Sequence, residues 1–191
     1  MSKLSLVTLI ACTVSIPSAM AFGGFGPGLE SHGKVTFTGQ VFANSCKIVS
    51  GDKDKHVKLN PVLNTLIKKT NTVQVQGFSI QVTDCFIHEK AVPKLAWGKG
   101  NILTDDGYLK NTSLNGAINV ALLLSDSKGN KINLHDNDLR FEPEKNYIKG
   151  DKSILTYKFN VGYIMPSKTF ILDRATAGSV SAQANYSITY L

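Results

Sequence analysis

Arginine is almost missing from this chain. Only Arg140 and Arg174 occur among 191 residues, although lysine and arginine together outnumber the acids 21 to 14 and the formal charge is +7. Arginine is the side chain that forks onto phosphates and base edges. A basic chain made so by scattered lysines, as in "GDKDKHVK" and "LIKKTN", reads as a solvated surface rather than a nucleic-acid binder. Histidine is sparse too: His32, His56, His88 and His135 stand apart. "FIHEK" lacks the second histidine of a zinc helix, and there is no G-x-S-x-G, phosphate loop or dinucleotide fingerprint. Nothing nominates a catalytic group, a metal or a cofactor. The lone Trp97, in "KLAWGKG", reads as core or strand end.

Long apolar runs are lacking except at the start. Lys3 followed by "LSLVTLIACTVSI" and Ala19-x-Ala21 is the pattern of a signal peptide, residues 1–21, cut to leave Phe22 to Leu191. "LIAC" offers a rival lipoprotein cut at Cys12, with too short an apolar stretch before it. Cysteine is scarce as well. With Cys12 removed, Cys46 and Cys85 remain, and an exported pair of this kind forms a disulfide. In the chain-entropy picture, closing that loop stabilises the fold by roughly 3–4 kcal/mol. Cys85-x-x-His88 has metal-like spacing, but the disulfide would consume its thiolate.

Helical periodicity is absent beyond one turn at "LNTLIKKTN". What remains is alternation. "KVTFTGQV", residues 34–41, places Val35, Phe37, Gly39 and Val41 on one side. "HVKLNPV", "GFSIQVTDC" and "PKLAWG" read as strands, as does "ILTYKFNVGYIMP" up to Pro166. "INVALLLSDSKGNKINL" reads as a hairpin. Its turn has calcium-loop oxygens but not the glycine and glutamate such a loop needs. "LRFEPEKNYIKGDKS" reads as loop, with Asp136, Asp138, Glu142 and Glu144 as a solvated acidic cluster, and Asn111 and Asn185 head glycosylation sequons by pattern alone. The closing "SVSAQANYSITYL" gives Val180, Ala182, Ala184, Tyr186, Ile188 and Tyr190 one parity. Short strands between turns predict a single all-β sandwich. A strand at the end of the glycine-rich arm "FGGFGPGLESHG" can leave its own domain and add to a neighbour's sheet.

These residues resemble the structural subunits of chaperone–usher fimbriae, the type 1 pilins. "VTFTGQVFANSC" looks like that family's donor arm running into its first cysteine, and "GFSIQVTDC" like the strand into the second. "YLKNTSLNGAINVALLLSDSKGNKI" looks like the central hairpin. "GSVSAQANYSITYL", from Gly178 to a penultimate Tyr190, looks like the family's subunit end. The resemblance implies an incomplete immunoglobulin-like sandwich lacking its last strand, over residues 41–191, with residues 22–40 as donor-strand extension. It implies Val35, Phe37, Gly39 and Val41 as donor residues, with Leu29 and, further upstream, Phe25 sharing their parity. The groove and chaperone-contact strand would be Gly178, Val180, Ala182, Ala184, Tyr186, Ile188, Tyr190 and Leu191. It implies a non-enzymatic subunit exported through the periplasm to a surface fimbria. Its partners would be neighbouring pilins in a homopolymer, a periplasmic chaperone that grips the chain end, an outer-membrane usher and an unknown host receptor, and it would support cell adhesion. The loops around 98–116 and 135–153 would face outward. The alternatives are a minor, adaptor or adhesive pilin of the same assembly, a monomeric periplasmic immunoglobulin-like binding module, and a secreted hydrolase with no site to nominate.

Overall fold

The computed structural model describes residues 33–39, 41, 46–87, 91–98, 100–149 and 152–190. The expected signal peptide, Cys12, Phe25, Leu29 and Leu191 lie outside them. The chain divides into Met1–Val41 and Phe42–Leu191. In the first unit, residues 33–39 and 41 are exposed and carry no ladder.

The second unit is built from strands and two short 3-10 turns, at Ser50–Asp52 and Asn64–Leu66. The strands are β1 (Lys47–Ile48), β2 (Val73–Thr83), β3 (Lys94–Trp97), β4 (Leu109–Lys110), β5 (Ala121–Asp126), β6 (Lys145–Lys149), β7 (Lys152–Ile164) and β8 (Tyr186–Thr189). The larger sheet runs β1-β2-β7-β5-β4, and β6 also pairs with β7. β7 organises this sheet. One edge takes β2, while β5 and β6 share the other, β5 along Phe159–Ile164 and β6 along Lys152–Thr156. β3 and β8 form the second sheet, and Phe141 bridges to the far edge of β3 through two backbone bonds of 2.9 Å with Leu95.

The alternation expected for "GFSIQVT" sets the register. Phe78 sits opposite Phe159, Ile80 opposite Tyr157 and Val82 opposite Leu155. One parity of β2, β7 and β5 therefore faces Leu95, Trp97, Tyr186 and Ile188 across the core. Tyr157 is fully buried and donates its hydroxyl to Pro93 O at 2.8 Å. Burial, with Tyr190 nearby, pushes its pKa up, so it stays a neutral donor. Gly162 is a close-approach position: a Cβ there would lie 3.1 Å from Val73 O, beside the register shift between Val73 and Gln76. The disulfide joins Cys46 to Cys85.

Three readings change. Residues 145–149, expected as loop, form β6. It is a short, lysine-bearing strand of the kind that blunts sheet edges. "HVKLNPV" makes no ladder, although Val57 and Leu59 still turn inward between exposed His56, Lys58 and Asn60. The hairpin's return strand shrinks to one bridge, Ser125 to Lys131, and a bond from Ile132 N–H to Leu124 O. Its turn is closed by Asp126, whose Oδ1 accepts from Lys128 N–H at 2.9 Å and Asn130 N–H at 2.8 Å. Burial works to raise the Asp126 pKa, but the Asn130 side-chain amide donating to Oδ2 at 2.7 Å, with these backbone bonds and the Lys128 charge, outweighs it and holds the carboxyl below its ordinary value.

Asn119 fastens the loop after β7. It is buried in a left-handed conformation, φ 58°. Its amide nitrogen lies 3.1, 2.5 and 2.9 Å from the carbonyls of Phe170, Leu172 and Arg174, and its Oδ1 accepts from Phe170 N–H at 2.6 Å. Asn119→Ala removes these bonds and puts a less tolerant residue at positive φ, so it should cost about 3 kcal/mol. Asn119→Gly should recover about 1 kcal/mol of that, because glycine accepts the conformation. Chemical denaturation of the three proteins checks both values.

Candidate functional site

The segment from Gly178 to Tyr190 is half a strand pair. At its start, Gly178 lies against the 116–117 turn: a Cβ there would come within 2.5 Å of Ala117 N. The next bonds all use odd-numbered residues. Ala117 N–H donates to Ser179 O (2.9 Å) and Thr112 N–H to Ser181 O (2.8 Å). Ser181 N–H donates to Asn111 Oδ1 (2.9 Å), whose amide group donates in turn to Ala117 O (2.9 Å) and Ser179 O (3.0 Å). Asn185 N–H donates to Asn101 Oδ1 (3.0 Å), and its carbonyl accepts from Gly98 N–H (2.6 Å).

The β3–β8 ladder continues this rule. Leu95 spends both backbone groups on Phe141, so the β3 residues that face β8 are Lys94 and Ala96, opposite Thr189 and Ser187. In an antiparallel pair the intervening residues point the other way. Tyr186 and Ile188 thus aim their N–H and C=O groups off the far edge. Among the described residues, no hydrogen bond reaches the backbone of Val180, Ala182 or Ala184. The result is an open edge from 180 to 188 with a bond-ready residue at every second position.

The same even-numbered residues turn their side chains to the core. Val180, Ala182, Ala184, Tyr186 and Ile188 are half-buried and pack on the main cluster, while Ser181, Gln183, Asn185 and Ser187 are exposed. The parity read from the sequence is the observed one. Trp97 meets this row at the strand end, its ring centroid 6.2 Å from Tyr186, 5.0 Å from Phe159 and 6.4 Å from Phe78.

Segment 46–52 comes close to the far end of the row. Tyr190 Oη lies 3.2 Å from Cys46 Sγ. Tyr186 Oη donates to Asp52 O at 2.5 Å, and burial raises its pKa, with Asp52 adding to the rise. Asp52 is itself buried, accepting from Gln81 N–H at 2.7 Å and pairing with Lys55. Asp52, Asn101 and Asn111 thus hold the site, yet none announces itself in the sequence. Asn111 had only its sequon to mark it, and its contacts lie 68 residues away along the chain.

Of the expected donor residues, Val35, Phe37 and Val41 are 74%, 90% and 98% exposed, and nothing lies within 4 Å of a Cβ built on Gly39. The acidic cluster is a surface one: Glu142 pairs with Lys94 and Glu144 with Lys158, each at 3.2 Å. No group of three metal-ligating side chains occurs among the described residues.

The profile of the family described as "Fimbrial protein" matches residues 35–191. The chain is 29% identical over 169 residues to an uncharacterized fimbrial-like protein, YgiL, of Escherichia coli K12, covering 84% of this chain and 86% of that one. It is 27% identical over 197 residues to the F17 fimbrial protein of Escherichia coli, covering 100% and 99%. A major fimbrial subunit of Haemophilus influenzae is 27% identical, covering 84% and 88%. The fold matches the crystal structure of the P pilus rod subunit PapA with a TM-score of 0.53 at 18% identity, over 77% of this chain and 99% of that one. A pilus of the chaperone–usher type also gives 0.53, at 22% identity, over 87% and 100%. An immunoglobulin-like pilin sandwich with no enzymatic signature, matched over most of its length, therefore belongs to the fimbrial protein family and is a structural subunit of a surface fimbria that assembles with other pilins.

Proposed function

We propose that this subunit polymerises by donor-strand exchange: residues 33–41 of one copy fill the open edge at 180–188 of the next. The observation that carries the reading is the alternation along that edge: the tail's bonds within the domain fall on odd residues (179, 181, 185, 187 and 189), while the even residues turn their side chains to the core and, among the described residues, 180, 182 and 184 take no backbone bond. The arm has the complementary pattern over the same length, with Val35, Phe37 and Val41 apolar and exposed. Burying each should stabilise a junction by about 1.5–3 kcal/mol, and the backbone pairing adds to that. Gly39 leaves room where the edge approaches most closely.

Before assembly the same edge needs cover, since an exposed strand edge invites aggregation. A periplasmic chaperone that lends a strand supplies it, and an outer-membrane usher exchanges that strand for the next arm. Export by the N-terminal signal then delivers the subunit through the periplasm. A host receptor for the finished fibre fits the family, and the chain names none. The arm sets this chain apart from a two-domain tip adhesin, which would carry a lectin domain ahead of the pilin domain in its place; shaft and adaptor subunits both need an arm and an open edge.

Phe37→Asp replaces a buried ring by a carboxylate that would lose its water, a change of several kcal/mol at each junction. Fibres sheared from cells and run unboiled should then lack the ladder that wild-type material gives, while the subunit stays present as monomer. A normal ladder overturns the donor assignment. Tyr190→Ser removes the contact with Cys46 and the last large side chain of the tail. Periplasmic subunit levels, followed by immunoblot with the chaperone co-expressed, should fall severalfold. Unchanged levels would separate the end of the tail from chaperone capture.

A further inference from the structure

Exposed large apolar side chains are not spread evenly over this subunit. Outside the arm ten occur among the described residues, and seven of them lie around the start of the tail. Leu114 sits in the turn whose Ser113 hydroxyl meets that of Ser179 at 2.6 Å, and Leu63 and Leu66 flank Asn64, which donates to Ala175 O at 3.1 Å. Ile118 exchanges bonds with Thr176, and the loop held by Asn119 displays Phe170, Ile171 and Leu172.

The apex of that loop is strained. Leu172 N–H donates to Phe170 O at 2.7 Å around Ile171, whose φ is 63°. This is a three-residue turn of the positive-φ kind, which is rare, and a β-branched residue is the least suited to its centre. Ile171 is 80% exposed and Phe170 69% exposed, so burial within the subunit does not offset the strain. The bonds from Asn119 to Phe170 and Leu172 hold the apex in this conformation, so its apolar side chains stay displayed.

Strand direction identifies what covers the patch. Tyr190 lies beside Cys46, so each subunit's own arm leaves at the Tyr190 end of its open edge. A donor arm bound parallel to β8 would bring a second arm root and a second body to that crowded end. Antiparallel binding avoids this, matches every other ladder in the fold and is the stronger pairing per residue. It places the donor's Val41 beside Val180. Four residues lie between Val41 and Cys46, five steps along the chain and a reach of roughly 17 Å when fully extended, so the donor's body must seat at this pole.

We infer that the apolar rim at the Val180 end, with Phe170, Ile171, Leu172 and Leu114 at its centre, is the seat for the body of the neighbouring copy that donates its arm. The contact is heterologous, head to tail, the class of interface from which an open filament can be built. The inference rests on the donor-strand reading, and the test separates the two.

Ile171→Asn is the informative variant, because asparagine tolerates positive φ and removes the apolar side chain. Full-length subunit released from fibres is given a synthetic peptide of residues 33–41, and binding is followed by Trp97 fluorescence. Fibres of the same variant are followed for dissociation in guanidinium. The expected result is peptide binding within twofold of wild type, with fibres that dissociate roughly tenfold faster, as loss of one buried aliphatic side chain per junction implies. Phe170→Ser should do the same and serves if the first variant folds poorly. Wild-type dissociation rates with unchanged peptide binding overturn the seat. Weakened peptide binding also overturns it, because the loop would then act through the open edge. Failure of the peptide to bind the wild-type subunit removes the donor-strand reading, and this inference with it.

Discussion

The fold turns on a backbone accounting problem. From Ser179 to Thr189 the tail's bonds to the 111–117 segment, Asn101 and β3 fall on odd-numbered residues (Ser179, Ser181, Asn185, Ser187 and Thr189), and among the described residues no hydrogen bond reaches the backbone of Val180, Ala182 or Ala184. A buried or half-buried amide without a partner costs as much as a lost hydrogen bond. On the proposed reading, a strand from a neighbouring copy pairs with these residues. Because those residues also face the core, whatever completes the ladder also covers the apolar row. Backbone pairing and side-chain burial are therefore gained together.

The elements around the edge serve to keep it straight. Asn111 and Asn101 replace backbone partners that a regular strand would have had, which lets the tail extend beyond the four residues of β8. Asp52 ties the other wall to β2 through its carboxylate, which accepts from Gln81 N–H, and to the tail through its backbone carbonyl, which accepts from Tyr186, so the two flanks of the opening are braced on one buried residue. The disulfide then fixes the root of the arm to the end of β2. An edge braced in this way is preorganised, and its partner does not have to order it on binding.

Periodicity made much of this legible in advance. The inward parity of β2 and of the whole tail followed from period-2 alternation, because a one-residue slip would turn each row to water. The cysteine pair followed from number and export context. What alternation could not supply was pairing. Residues 145–149 carry too many polar side chains to look like a strand, yet β7 offers them an edge. Residues 56–62 alternate and find no ladder. The asparagines were opaque for a related reason. Asn111 and Asn119 look like ordinary turn residues until segments more than 50 positions away are folded against them.

The arrangement of poles gives the assembly a direction. The arm root lies at the Tyr190 end of the open edge, and the apolar rim at the Val180 end. On the donor-strand reading, a subunit with its donor element at one end and an acceptor at the other cannot form an isologous pair through them, since the same patch would have to serve as its own complement. The +7 charge opposes close association at low salt, and it is carried mostly by lysines that reach into solvent. Attraction between copies must therefore come from short-range apolar contact and backbone pairing. These are the two features found at the open edge, and they act only when a neighbour arrives in one orientation.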